Sequence, residues 1–260
     1  MVRSIKSTKV ARRIVRRKVV NRNTKNIQSK PIYKKIHRLN SAVLFSGGKD
    51  SGLALLYAKK YTNVKCLIIM QSKNVESYMF HTPNIRWAEK QAKATGLPYI
   101  IQITDGEKEK ELQDLKQAIK IAKQKYKVQA IVTGAIESVY QASRVQTITN
   151  DLKMECFNPL WQKDQIEVLE EIIREKFEVI IIGTFGYGMD KLIGRKIDKQ
   201  FILDVTKLKD TLKINPAGEG GEFESFLLNA PHYKKQLTII DKDIVKDTTG
   251  GIVLDIKELS

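Results

Sequence analysis

The residues best equipped for chemistry are gathered in Ser46-Gly47-Gly48-Lys49-Asp50-Ser51. Two adjacent glycines let the backbone turn tightly and approach a ligand with no Cβ in the way. A helix-like run, Gly52 to Ala58, follows directly. The amides that open it would point outward with the positive end of the helix dipole, where a phosphate binds. Ser46 and Ser51 add hydroxyls, and Lys49 adds an ammonium. The spacing is not the Gly-x-x-x-x-Gly-Lys-[Ser/Thr] of kinase-like ATPases, so this is a phosphate loop of another kind. An ordinary βα turn with a surface lysine is the bland alternative.

A second segment has the opposite polarity. Gly218-Glu219-Gly220-Gly221-Glu222-Phe223-Glu224 sets three carboxylates among three glycines, with Phe226 two residues on. Its charge excludes a second phosphate cradle. It suits a cation instead: ammonium, a substrate amine, or a quaternary ammonium over Phe223 or Phe226. A solvated acidic turn is the simpler reading. Glu76 to Asn84 contains Met79, Phe80 and His81, placed to line the rim of a sheet, with Thr82 and Pro83 as N-cap and first helical residue. A lone histidine of this kind is more often structural than catalytic. In Thr133 to Arg144 a strand ends in a glycine turn and a polar helix start, from which Glu137, Ser138, Gln141 and Arg144 could reach a ligand. Arg144 would meet phosphates or a carboxylate, or lie on a solvated helix face.

These segments need a scaffold, and the chain spells one out. Ala42–Phe45, Val64–Met70, Leu97–Ile103, Ala130–Thr133 and Met154–Phe157 read as strands. Helical patterns separate them over Ile85–Ala94, Lys108–Tyr126 and Val139–Leu152. Such alternation gives right-handed βαβ crossovers and a parallel sheet, with ligands beyond the carboxyl ends of the strands. A helix at Gln165–Lys176 and a strand at Val179–Ile182 open the second half, and strand-like runs from Ile214 imply a smaller mixed lobe. The expected organisation is a basic, solvated extension over 1–40, a nucleotide domain over 41–158 and a substrate lobe over 159–260.

The net charge of +17 is unevenly spread. Residues 1–40 hold seven lysines, seven arginines and no acid, which leaves a nearly neutral body. That leader reads as an arm touching RNA or ribosomes through counterion release. A dispensable translated extension or an arginine-rich targeting peptide would have the same composition. Two cysteines, Cys66 and Cys156, make neither a disulfide framework nor a metal site. Both read as core residues in a reducing, cytoplasmic compartment. No apolar run reaches membrane-spanning length.

The loop at 46–51 resembles the pyrophosphate loop (PP-loop) of the ATP pyrophosphatases, which cleave ATP between the α- and β-phosphates. Together, SGGKDS at 46–51, ESYMFHTPN at 76–84, TGAIESVYQ at 133–141, FNPLWQKDQ at 157–165 and GEGGEFESFLLNAP at 218–231 resemble the diphthine–ammonia ligase family. The resemblance implies a Rossmann-like nucleotide domain of the HUP type with a smaller C-terminal α/β lobe. It also implies ATP-dependent amidation, by ammonium, of the diphthine carboxylate on translation elongation factor 2, through an acyl-adenylate. Carried over position by position, it puts Ser46, Gly47, Gly48, Lys49, Asp50, Ser51 and Gly134 at ATP, with Asp50 toward Mg²⁺. Lys49, Asp50, Glu219, Glu222 and Glu224 become the catalytic set. His81, Tyr140, Arg144, Gly220, Gly221, Glu222 and Phe223 fall at the substrate. Ala142, Gln146, Ser225 and Asn229 depart from the family pattern. Two other readings stand beside it. A tRNA-modifying PP-loop enzyme lacks here the paired cysteines of its sulfur-inserting members, and a non-catalytic nucleotide- or RNA-binding module is at odds with an intact loop.

Overall fold

The structure, a computed structural model, describes residues 35–74, 83–246 and 250–260. Most of the basic leader, and His81 with Met79, Phe80 and Thr82, lie outside the described residues.

Five parallel strands form the first sheet in the order β3-β2-β1-β4-β5. They are β1 (Asn40–Leu44), β2 (Asn63–Ser72), β3 (Tyr99–Thr104), β4 (Ala130–Val132) and β5 (Glu155–Phe157). The sequence pattern fits because both faces are covered, which removes the polar alternation of a one-sided sheet. Helices α1 (Lys49–Tyr61) and α2 (Ala88–Thr95) bury Ala54, Leu55, Ala58, Ala88 and Ala92 against Val43, Leu67 and Ile69. On the opposite face, α3 (Glu111–Tyr126) and α4 (Val139–Asp151) pack Leu115, Ile119, Val145 and Ile148 against Ala42, Cys66 and Ile68.

The second lobe is an antiparallel sheet, ordered β7-β6-β9-β8, with two further helices. Its elements are α5 (Gln165–Arg174), β6 (Glu178–Thr184), α6 (Lys199–Leu212), β7 (Phe223–Asn229), β8 (Ile239–Lys246) and β9 (Ile252–Leu259). The α/β class and the smaller second lobe are as the sequence implied. One core cluster spans both lobes, joining Leu53 of α1 to Val168, Leu169, Ile181, Phe223 and Leu227.

Several boundaries differ, for local reasons. Ile36 is buried with Leu39 beside it, and β1 already begins at Asn40, so the last residues assigned to the leader belong to the folded unit. The long third helix starts at Glu111 rather than Lys108 because Glu109 sits at φ +66°, outside the helical region. Proline does not open the helix after residue 82. Asn84 is left-handed at φ 63°, a single turn spans Ile85–Trp87, and α2 then begins at Ala88. Helix α6 was missed, although Asp198 caps it by accepting from the Phe201 N–H at 2.7 Å. Both cysteines are thiols, Cys66 buried and Cys156 partly so. Burial pushes each up to about 12, and slow modification by an alkylating reagent until the protein unfolds is the expected result.

Candidate active site

Beyond the carboxyl ends of β1 and β4 the strand order reverses, which is where an open α/β sheet leaves a crevice. A cleft of about 540 Å³ lies there, within the usual range for a small-molecule site. Leu44, Ile68, Met70, Ile85 and Val145 give it an apolar wall, while Ser46, Gly48, Lys49, Asp50, Ser51 and Gly134 give it a polar one.

The phosphate loop is braced from inside. The Ser51 hydroxyl accepts from the Ser46 N–H at 3.3 Å and donates to the Gly48 carbonyl at 3.1 Å. Gly47 holds φ +82°, and a Cβ there would fall 1.8 Å from the Gln91 Oε1. At Gly134 the demand is for room: a Cβ would meet the Asp50 carbonyl carbon at 2.7 Å and the Ser51 nitrogen at 2.9 Å. Gly134→Ala must therefore push β4 away from the loop. The expected result is a loss of about 1–3 kcal/mol in stability measured by urea titration.

Lys49 is 3% exposed, and its ammonium does not reach into open solvent. It donates to Asp50 Oδ2 at 2.7 Å and lies 5.5 Å from the centre of the Phe223 ring. The other Asp50 oxygen is buried with no hydrogen-bond partner among the described residues. Burial raises the Asp50 acid against the opposing pull of Lys49.

The three glutamates of the second loop separate into three tasks. Glu219 Oε1 accepts three backbone N–H groups at the start of α4, from Ile136 at 3.2 Å and from Glu137 and Ser138 at 2.9 Å each. A protein carboxylate thus occupies the amides at the start of α4. Glu222 turns back on its own loop, accepting from the Asn215 N–H at 2.7 Å, the Asn215 side chain at 2.8 Å and the Gly220 N–H at 2.9 Å. Glu224 lines the cleft with no hydrogen bond or ion pair among the described residues. Burial pushes its carboxyl up to about 7, opposed by Lys49 and reinforced by Asp50 and Glu219.

Glu222→Ala would strip three donors of their acceptor. A stability loss of about 1–3 kcal/mol is expected, with Glu222→Gln intermediate because its carbonyl still serves Asn215. Thermal melts measure it.

Gly220, Gly221 and Tyr140 line the cleft as well. Phe223 lines it too, although the ring is buried edge-on against Phe201 with 5.7 Å between centroids. Phe226 is turned away, into the core beside Ile182 and Leu254, because neighbouring strand residues face opposite sides. Arg144 is absent from the cleft wall. It pairs with Glu109 at 2.9 Å and stacks on Tyr140 at 4.1 Å. Sequence reading missed two buried amides. Gln165 accepts from the Ala217 N–H at 3.0 Å and donates to Glu137 and Asn215. Gln91 donates from Nε2 to the carbonyls of Gly47 at 2.9 Å and Leu227 at 2.8 Å. The sign of Gln91 was its place on the buried stripe Ala88, Gln91, Ala92, Thr95.

A glycine loop at a helix N-terminus, on the switch point of a five-stranded parallel sheet, defines an α/β protein with its candidate site at the crevice where such sheets take ligands. Family models described as the diphthamide synthase N-terminal domain and C-terminal domain match residues 39–156 and 164–260. The chain belongs to the diphthamide synthase family. A Bos taurus protein named diphthine–ammonia ligase is 29% identical over 227 residues, covering 78% of this chain and 84% of the relative. A Danio rerio protein of the same name is 30% identical over 219 residues, covering 75% and 84%. A solved structure described as a predicted subunit of tRNA methyltransferase from Methanocaldococcus jannaschii overlaps 76% of this chain and 99% of its own, at 20% identity and a TM-score of 0.40.

Proposed function

We propose that this protein is a diphthine–ammonia ligase, which uses ATP and ammonium to amidate the diphthine carboxylate on translation elongation factor 2 and releases AMP and pyrophosphate. The observation that carries the reading is the meeting, in one cleft, of an amide-rich helix start and an unpartnered carboxylate. One end suits the phosphates of ATP, the other a cationic substrate. Residues 41–158 supply the first and residues 159–260 the second.

The diphthine carboxylate attacks the α-phosphorus of ATP, pyrophosphate leaves, and ammonia then displaces AMP from the acyl-adenylate. The amides of Gly47 to Ser51 and the Lys49 ammonium stabilise the charge on the leaving pyrophosphate. Glu224 holds the cation, ammonium or the trimethylammonium of diphthine, and accepts the proton that ammonium must lose before attack. Phe223 backs Lys49. Glu222 shapes the loop, Glu219 ties it to α4, and Tyr140 with Arg144 forms the outer rim.

No group of three or more His, Cys, Asp or Glu side chains able to hold a metal occurs among the described residues. The buried, partnerless Asp50 oxygen fits Mg²⁺ all the same, because that ion takes one or two carboxylates and completes its shell with phosphate and water. When bound, it would neutralise phosphate charge. The polycationic leader serves RNA or ribosome contact in the cytoplasm, where the factor works. Among the described residues no helix is long and apolar enough to cross a membrane.

The test is mass spectrometry of diphthine-bearing elongation factor 2 incubated with this protein, ATP, Mg²⁺ and ¹⁵N-ammonium. One ¹⁵N per factor with AMP as co-product is the expected result. AMP without incorporation would move the substrate elsewhere, to tRNA among others. Neither product would leave a binding module.

A further inference from the structure

Helix α2 belongs to the first sheet, yet its side chains bind the second lobe. Asn84, just before it, donates to the Leu254 carbonyl and accepts from the Ile256 N–H, both at 2.8 Å. The Trp87 indole donates to the Ile256 carbonyl at 2.8 Å, and the Lys234 N–H donates to the Ala94 carbonyl at 2.7 Å. Between these anchors lies Gln91, 0% exposed, whose amide bridges Gly47 and Leu227. Two more bonds close the same seam. The Leu227 N–H donates to the Gly47 carbonyl at 2.9 Å, and the Lys49 N–H donates to the Ser225 hydroxyl at 3.1 Å. Leu227, Ser225 and Glu224 share one strand.

We infer that Gln91 is a positioning residue, one that locks the phosphate loop to β7 and so sets Glu224 and Phe223 opposite the start of α1. The chemistry selects glutamine. Two carbonyls, one from each lobe, converge on one point, and a single NH₂ group carries the two hydrogens that both need. Glutamate would offer acceptors to acceptors, and an aliphatic residue would leave the Leu227 carbonyl unsatisfied in a dry seam. The same amide occupies the volume beside Gly47 that a Cβ would need, so loop conformation and strand register are fixed by one side chain.

The inference rests on the ligase reading only for its second readout. Gln91→Met keeps the volume and removes both donors. Expected are a dissociation constant for ATP raised about tenfold by titration calorimetry and an amidation kcat lowered about 30-fold, both measured well below the melting midpoint. Ser225→Ala should lower kcat several-fold alone and add little in the Gln91→Met background, because both act on one register. A side chain that only supports the fold would shift the melting temperature and leave the ATP constant and kcat alone. That result, or strictly multiplicative effects in the double variant, would overturn the inference. Should Gln91→Met fail to fold, Gln91→Asn, which keeps the NH₂ group but one methylene short of both carbonyls, decides. A dissociation constant for ATP raised several-fold well below its melting midpoint is expected, and a wild-type constant would overturn the inference. If the wild type binds ATP but amidates nothing, the ligase reading fails while the ATP measurements still judge Gln91.

Discussion

Glu224→Gln is expected to abolish amidation, by at least about 10³-fold, and to make the protein more stable above neutral pH. The two effects share one cause. Glu224 lies in the cleft without a hydrogen bond or ion pair among the described residues, and burial raises its carboxyl from the ordinary 4.5 to about 7. The folded state therefore keeps a proton that the unfolded chain gives up. Its stabilising share is complete below about 4.5 and is lost as pH rises through about 7. Glutamine has nothing to ionise, so the variant should match wild type near pH 4.5 and exceed it by on the order of 2 kcal/mol at pH 8. Thermal melts across that window measure the difference. A gain in stability with full activity would remove Glu224 from the chemistry. Lost activity with no pH-dependent gain would mean that its carboxylate is already neutralised in the resting protein. In wild type, amidation should rise as pH passes through about 7, because only the ionised carboxylate holds a cation and accepts a proton.

Lys49→Met is expected to cost both activity and fold. The ammonium is the cation paired with Asp50 and the charge that opposes the raised Glu224 carboxyl. Methionine fills the space and leaves two desolvated carboxylates without their counter-charge, a loss of about 3–5 kcal/mol by analogy with other broken buried pairs. For a chain of this size that lowers the melting temperature by about 10 °C at pH 8. The deficit should shrink as pH falls below about 7, because the raised Glu224 carboxyl then takes up a proton and its uncompensated charge disappears. AMP release from ATP should be undetectable at any pH. A variant that melts like wild type at pH 8 would show that Asp50 and Glu224 do not depend on this ammonium.

Much of the frame was legible in the chain. β1 and the glycine loop could be read because each is local: an apolar run, then residues with unusual backbone freedom, then helix formers. The parallel sheet followed from alternation alone. Helix α6 escaped although its Asp198 cap was in view, since only Phe201 and Val205 are buried on it and the apolar stripe is thin.

Around the site, sequence determined which residue types were available, and tertiary structure decided what each does. Glu219, Glu222 and Glu224 differ little as letters in a glycine-rich string. One is satisfied by amides more than 80 positions away, one by its own loop, and one by nothing in the described protein. Their division of labour depends on long-range hydrogen bonds and on desolvation, and neither is a property of a short sequence window. Gln91 makes the same point, since its two acceptors lie 44 and 136 residues distant and become neighbours only when the lobes close on each other. The sequence by itself determined an α/β nucleotide fold, a phosphate loop and an acidic partner for it. Which carboxylate stays free to act was decided by packing, because a charge left without a partner exists only relative to the groups that the fold brings, or fails to bring, within reach.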